Sequence, residues 1–184
     1  MKKFLLCVLS LVTLILAAGQ YTPDGWETDI AKAKRRAAAE NKPILVLISG
    51  PEWCGPCQAL EKNVINKPDF SRVARKNAVC LFIHSPKTPT PESRAREQVF
   101  KKVFKTGGVP RYALVDAKLN LINIPEGRTV YQFVKAISDA RVKNGAEPVT
   151  GLKKMQREYE KEKRILEKKA KKSARKSKKS RKDK

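Results

Sequence analysis

Two cysteines two residues apart, Cys54 and Cys57, sit in the stretch Ser49 to Val64, behind Trp53 and around Gly55 and Pro56. Three chemistries suit such a pair: a redox dithiol, half of a zinc site, or a small structural disulfide. The zinc reading needs two more ligands, and Cys80 with His84, the single histidine, completes a C-x2-C…C-x3-H series. Both fall in the apolar run Ala78 to His84, which reads as a strand. There they share a face but stand roughly 13 Å apart, at about 3.3 Å per residue. Zinc holds each ligand within about 2.0–2.3 Å, so no metal is expected, and His84 is read as a strand-end residue. A structural staple is the weaker of the remaining two, because a two-residue loop constrains little of the unfolded chain.

What this spacing does well is switch. At the start of a helix, an exposed Cys54 faces the unpaired N–H groups, which stabilise thiolate and lower the thiol pKa below its free value of about 8.5. Cys57, one turn in, is shielded and placed to attack a mixed disulfide formed by Cys54. Pro56 fits the first turn, where a missing N–H costs nothing.

The elements around the pair follow from the pattern. Thr28 is positioned to cap a helix over "DIAKAKRRAAAENKP", with Asp29 in its first turn and Asn41 and Pro43 ending it. Ile44 to Ser49 is a continuous apolar run, as for a strand buried on both faces. A helix from about Cys54 to Asn63 turns Ala59, Leu60 and Val64 inward, and "PDFSRVARKN" restarts it after Pro68. A second buried strand spans Ala78 to His84, with Cys80 as a buried, inert thiol. A helix across Ser93 to Lys105 follows, then a hairpin of "RYALVD" and "LNLINI" turning at Ala117-Lys118, then a helix from Thr129 to Lys143. Strands separated by helices imply parallel crossovers, and the hairpin adds an antiparallel edge. The fold class is therefore α/β, one mixed central sheet with helices on both faces.

With these elements in place, Trp53-Cys54-Gly55-Pro56-Cys57 resembles the active-site motif of the thioredoxin superfamily, and Val109-Pro110 resembles its cis-proline segment. The likeness runs from about Trp26 to Lys143. Lys42 to Phe70 is most similar to exported, periplasmic-type members, including domains that pass electrons to disulfide enzymes. The resemblance implies that Cys54 is the attacking nucleophile and Cys57 the resolving thiol. It implies that Trp53, Gly55, Pro56, Gly108, Val109 and Pro110 form the substrate side, Pro110 in the cis form and Val109 offering backbone hydrogen bonds. It implies no cofactor beyond the redox-active Cys54–Cys57 disulfide. The partners would be proteins with thiols or disulfides and an upstream thiol donor or acceptor. One departure stands out. Thioredoxins keep a buried acid on the strand before the motif, whereas Ile44 to Ile48 contains none, and the nearest acid, Glu52, lies in the loop.

The ends of the chain are read apart from this domain. Lys2, Lys3, the apolar run Phe4 to Leu16 and the small residues Ala17 to Gly19 read as a signal peptide over residues 1–19, with an uncleaved membrane anchor as the alternative. That reading places the protein outside the cytoplasm, in a periplasmic or comparable space, and sets the domain at residues 20–148. Export removes Cys7 and leaves three cysteines, an odd number that argues against a disulfide-stapled scaffold. The formal net charge is +23 over 184 residues, and the last 34 hold 17 Lys or Arg against 5 Asp or Glu. This tail, residues 149–184, reads as a helix through Lys172 with a stripe of Leu152, Met155, Tyr159 and Leu166, then a disordered like-charge run. Its charge suits an anionic envelope or membrane surface. Nucleic acid is disfavoured, since the tail has one aromatic, Tyr159, for stacking.

Overall fold

The computed structural model describes residues 21–105 and 107–182, so the expected signal at residues 1–19 lies outside the described residues. The first helix, α1 (Ile30–Glu40), is capped by Asp29, whose carboxylate accepts from the Lys32 N–H at 2.9 Å. The cap is thus Asp29 and not Thr28, because the carboxylate reaches the third amide of the helix. Asn41 ends α1 in the left-handed region (φ 48°), a conformation its short side chain tolerates.

Strand β1 (Ile44–Ser49) is the hub, buried along its whole length. Its side chains alternate with a period of two. Leu45 and Leu47 join Phe70, Phe82 and Phe133 on one face, while Ile44, Val46 and Ile48 meet Ala33, Ala37 and Phe100 on the other. That two-sided burial is why the run is uninterrupted by polar residues. The sheet order is β2-β1-β3-β4. Strand β2 (Val79–His84) pairs parallel to β1, and β3 (Arg111–Val115) pairs antiparallel to it. The short β4 (Leu121–Asn123) closes the hairpin against β3. The result is the expected mixed α/β sheet, with α2 (Gly55–Leu60), α3 (Pro68–Asn77) and α5 (Val130–Lys143) on the Leu45 face and α1 on the other.

Both edges of the sheet are occupied. Beyond β2, Glu27 forms a single parallel bridge: its N–H donates to the Cys80 carbonyl (2.9 Å) and its carbonyl accepts from the Phe82 N–H (2.8 Å). The Glu27 carboxylate is held by Lys32 (2.9 Å) and Arg36 (2.7 Å) of α1. At the far edge, the Lys143 ammonium of α5 donates to the Ile122 carbonyl at 3.0 Å.

Three local expectations are corrected. Helix α4 covers Pro91–Gln98, not Ser93 to Lys105. After it the chain tightens into three-residue turns, with Phe100 N–H on Glu97 O (3.0 Å) and Val103 N–H on Phe100 O (2.9 Å). These turns drop Phe100 and Val103 into the core and leave Val99 exposed. Ala59 is exposed, while Leu60 and Val64 are buried as expected. The last helix, α6 (Leu152–Lys182), keeps a helical backbone ten residues beyond Lys172. No Gly or Pro interrupts it, and Lys, Arg and Ala are strong helix formers. Its first turns are docked: Leu152 and Met155 pack on the core cluster that includes Val149, and Tyr159 stacks on Tyr131 of α5 at 4.9 Å. Ile165 and Leu166 beyond them are exposed, and no described helix is long and apolar enough to cross a membrane.

Candidate active site

The end of β1 delivers the chain into a tight turn. The Gly50 carbonyl accepts from the N–H groups of Trp53 (3.1 Å) and Cys54 (2.9 Å). Cys54 is the N-cap of α2, and its sulfur accepts from the Cys57 N–H at 3.2 Å. Pro56 lies in the first turn, as a residue without an N–H can. Cys54 and Cys57 form a disulfide with their Cα atoms 5.2 Å apart. A sulfur that accepts an amide N–H in the capping position becomes a better-stabilised thiolate once the disulfide is reduced.

The two sulfurs are unequal in the expected order, but Cys54 is not the exposed thiol the sequence suggests. It retains 5 % of its surface against 0 % for Cys57. Its sulfur lies 3.6 Å from the carbonyl oxygen of Val109, so the segment before β3 overhangs it. The Val109-Pro110 peptide bond is cis, and Gly108 has φ 89°, a conformation side-chain-bearing residues rarely adopt. Gly55, Pro56 and Gly108 are exposed around the pair, with Val109 and Pro110 half-buried. Trp53 is 42 % exposed, and its indole N–H donates to the Ser85 carbonyl at 2.9 Å. That placement depends on Gly50, where an added Cβ would stand 2.3 Å from the Trp53 indole nitrogen and 2.4 Å from the Ser85 oxygen. The structure therefore brings all eight sequence-predicted site residues to one end of the sheet.

The sequence analysis missed one residue. No acid comes from β1, but Glu61 is buried to 5 % exposure on the helix that carries the cysteines. At Glu61–Ile65 the helix widens into a π-helical turn, with the Asn66 N–H on the Glu61 carbonyl at 2.8 Å. The wider turn lets Glu61, Val64 and Ile65 all face inward. The Glu61 N–H donates to the Cys57 carbonyl, so the acid sits one turn beyond the second cysteine. Its carboxyl accepts from the Ser49 hydroxyl at 2.9 Å, Ser49 being the fully buried last residue of β1. Burial pushes its pKa above the usual carboxylate value, against the lowering effect of hydrogen bonds from Ser49 and Tyr21. The legible signal was spacing: Cys57, Glu61 and Val64 fall at i, i+4 and i+7, one face of a helix. Glu52, the acid nearest in sequence, is instead half-exposed and lies 3.0 Å from the His84 imidazole.

Cys80 is 4 % exposed in the middle of β2, and burial pushes its thiol up to about 12. Among the described residues no group of three or more His, Cys, Asp or Glu side chains could hold a metal ion.

Comparison with known proteins agrees with this geometry. The thioredoxin-related protein DsbJ of Chlamydia pneumoniae is 30% identical over 109 residues, covering 58% of this chain and 31% of that protein. The disulfide bond reductase DsbH of Chlamydia pneumoniae is 26% identical over 95 residues, covering 50% of this chain and 57% of that protein. The chain thus spans about a third and a little over half of the lengths of these curated relatives. A solved structure of a DsbH oxidoreductase shares the fold, with a TM-score of 0.52 at 21% identity over 68% of this chain and 93% of that one. A thioredoxin-like family model matches residues 25–117, half of the chain, from ahead of α1 through the turn after β3. By sequence, fold and site, the chain belongs to the thioredoxin-like family.

Proposed function

We propose that the protein is an exported thiol–disulfide oxidoreductase that reduces disulfides of other exported proteins through Cys54 and Cys57. The observation that carries this reading is the disulfide at the start of α2 lying beneath the Val109 carbonyl. In the reduced protein, the Cys54 thiolate attacks one sulfur of a client disulfide and expels the other as thiolate. The Cys57 thiolate then attacks Cys54 in the mixed disulfide, releasing the second client sulfur. Two electrons and two protons pass from the pair to the client, and an upstream dithiol donor must restore the pair. Glu61, one turn past Cys57, is placed to take part in the proton balance. Val109 offers its backbone to an extended client, and Trp53, Gly55, Pro56, Gly108 and Pro110 bound the approach. The name of the relative DsbH, a disulfide bond reductase, supports the reducing direction, and no cofactor beyond the disulfide is needed. The expected result is reduction of insulin disulfides with dithiothreitol, lost in Cys54→Ser; equal activity in that variant overturns the proposal.

A second role follows from α6. Residues 161–174 stand in solvent, and the sequence from Lys163 to Lys184 holds 13 Lys or Arg against 2 Asp or Glu. This segment tethers the enzyme to an anionic envelope or membrane surface. Truncation after Glu162 spares Leu152, Met155 and Tyr159, so the domain stays folded. The truncated chain should no longer sediment with vesicles containing an acidic phospholipid at low salt. Sedimentation equal to that of the full chain refutes the tether.

A further inference from the structure

A groove of about 280 Å³ opens beside the disulfide, lined by Trp53 and Val109 at one end and by Lys87 and Arg94 farther out. Its single carboxylate is Glu97, and that charge is already used. Glu97 pairs with Arg111 and accepts from the Ser85 hydroxyl at 2.7 Å. Arg111 in turn lies over the Phe104 ring, its guanidinium carbon 5.6 Å from the centroid. This Ser85–Glu97–Arg111–Phe104 chain ties α4 to β3, and its Ser85, Glu97 and Arg111 form the floor. Lys87 and Arg94 are exposed on the rim, and among the described residues no carboxylate pairs with either. The Arg94 guanidinium donates to the Pro89 carbonyl at 3.3 Å. The groove therefore holds an internally neutral floor and two unpaired cations.

The position of these cations relative to the sulfur is what gives them meaning. Trp53 precedes Cys54 in the chain, and the Val109 carbonyl lies 3.6 Å from the Cys54 sulfur. A client strand laid along Val109 with its cysteine at Cys54 must send nearby side chains into this groove. Side chains on an extended strand alternate, at about 3.3 Å per residue.

Resting on the proposed oxidoreductase activity, we propose that the groove selects client cysteines with an acidic side chain a few residues away, received by Lys87 and Arg94. The charge arrangement excludes the opposite preference, since a Lys or Arg from the client would meet two cations and no available carboxylate. Recognition of this kind acts mainly on encounter and on the mixed-disulfide complex, and it weakens with salt.

The test uses three synthetic peptide disulfides that differ only in having Glu, Gln or Lys beside the cysteines. Each is reduced by the pre-reduced full chain, and second-order rates are compared at low ionic strength. Two exposed cations should favour the Glu peptide over the Lys peptide by about tenfold. That ratio should shrink at high salt and invert in Lys87→Glu/Arg94→Glu, each variant being referenced to its own rate on the Gln peptide. It should survive Lys161→Glu/Arg164→Glu on α6, which changes the total charge equally but leaves the groove alone. Equal rates for the Glu and Lys peptides sink the proposal. So does a preference untouched by the groove reversal, or one erased as fully by the α6 reversal. If no peptide is reduced, the oxidoreductase reading fails and this one falls with it; reduction without discrimination overturns this one alone.

Discussion

The Cys54–Cys57 pair follows β1 at the start of α2 and Cys80 lies on the neighbouring strand β2, yet they are chemically opposite. Cys54 sits where a strand has ended and a helix is starting, so its sulfur meets the Cys57 N–H of the first turn, which donates to the Cys54 carbonyl as well. Cys80 sits mid-strand, where backbone groups are already spent on the ladder to β1 and on Glu27, leaving its thiol among apolar side chains. Both are nearly buried, so exposure is not what separates them. The difference is whether a backbone donor faces the sulfur, as one does in the first turn of a helix and none does along a paired strand.

The sharpest way to break this comparison is to exchange the roles of the cysteines. Cys57→Ser should abolish multiple turnover and accumulate mixed disulfides through Cys54, detectable by mass spectrometry of the unreduced protein. Cys80→Ala should keep activity within about twofold and cost about 1 kcal/mol in denaturant unfolding, as expected for a small buried deletion. The pH dependence separates the thiols further. The folded-state pKa of Cys80 is raised, so its contribution is fully present below the ordinary thiol pKa, near 9, and is lost as pH rises toward about 12. Wild type should therefore lose more stability than Cys80→Ala across that window; parallel curves would contradict a thiol held in its neutral form.

A smaller effect is expected from the turn that delivers Cys54. Gly50→Ala forces a methyl group against the Trp53 indole and the Ser85 carbonyl, a collision expected to cost about 1–3 kcal/mol. Reduction of insulin should slow, and Trp53 fluorescence should change, while Cys80 alkylation in the native protein stays slow. If Cys80 becomes reactive as well, the two regions share more of their stability than the packing indicates.

The smallest effect concerns the buried acid. The Glu61 pKa is raised by burial, so its contribution to stability is present below about 4.5 and is lost as pH rises through the folded value. Glu61→Gln keeps an oxygen for Ser49 and removes the titration. Its stability relative to wild type should rise as pH increases above about 4.5, and the pH profile of insulin reduction should shift. An unshifted profile with altered stability would make Glu61 structural alone.

Much of this organisation was legible before the fold was known, for reasons specific to each element. The uninterrupted apolar run of β1, bounded by Pro43 and Gly50-Pro51, suits a strand covered on both faces, and the placement of Cys54 and Cys57 after it followed from Gly50, Pro51 and Pro56. Helix ends were less legible. Val99, Phe100, Val103 and Phe104 have helical spacing, but tighter turns bury Phe100 and Val103 equally well, and periodicity does not distinguish the two. Glu61 was not legible because thioredoxins keep their acid on the strand, and here it lies on the helix beyond the cysteines. The π-helical turn that faces it inward changes the helical period itself, and no residue type marks that change in the sequence.

The covered edges of the sheet also bear on self-association. A strand with a free row of backbone groups invites another chain to pair with it. Here β2 is shut by Glu27, itself pinned by Lys32 and Arg36, and β4 is three residues long with the Lys143 ammonium on the Ile122 carbonyl. An incoming extended polypeptide therefore gains little by adding to either side of the sheet. At the backbone of Val109 it lies within reach of the Cys54 sulfur. On the proposed function, an extended client is held at the cysteines without adding a strand to the sheet.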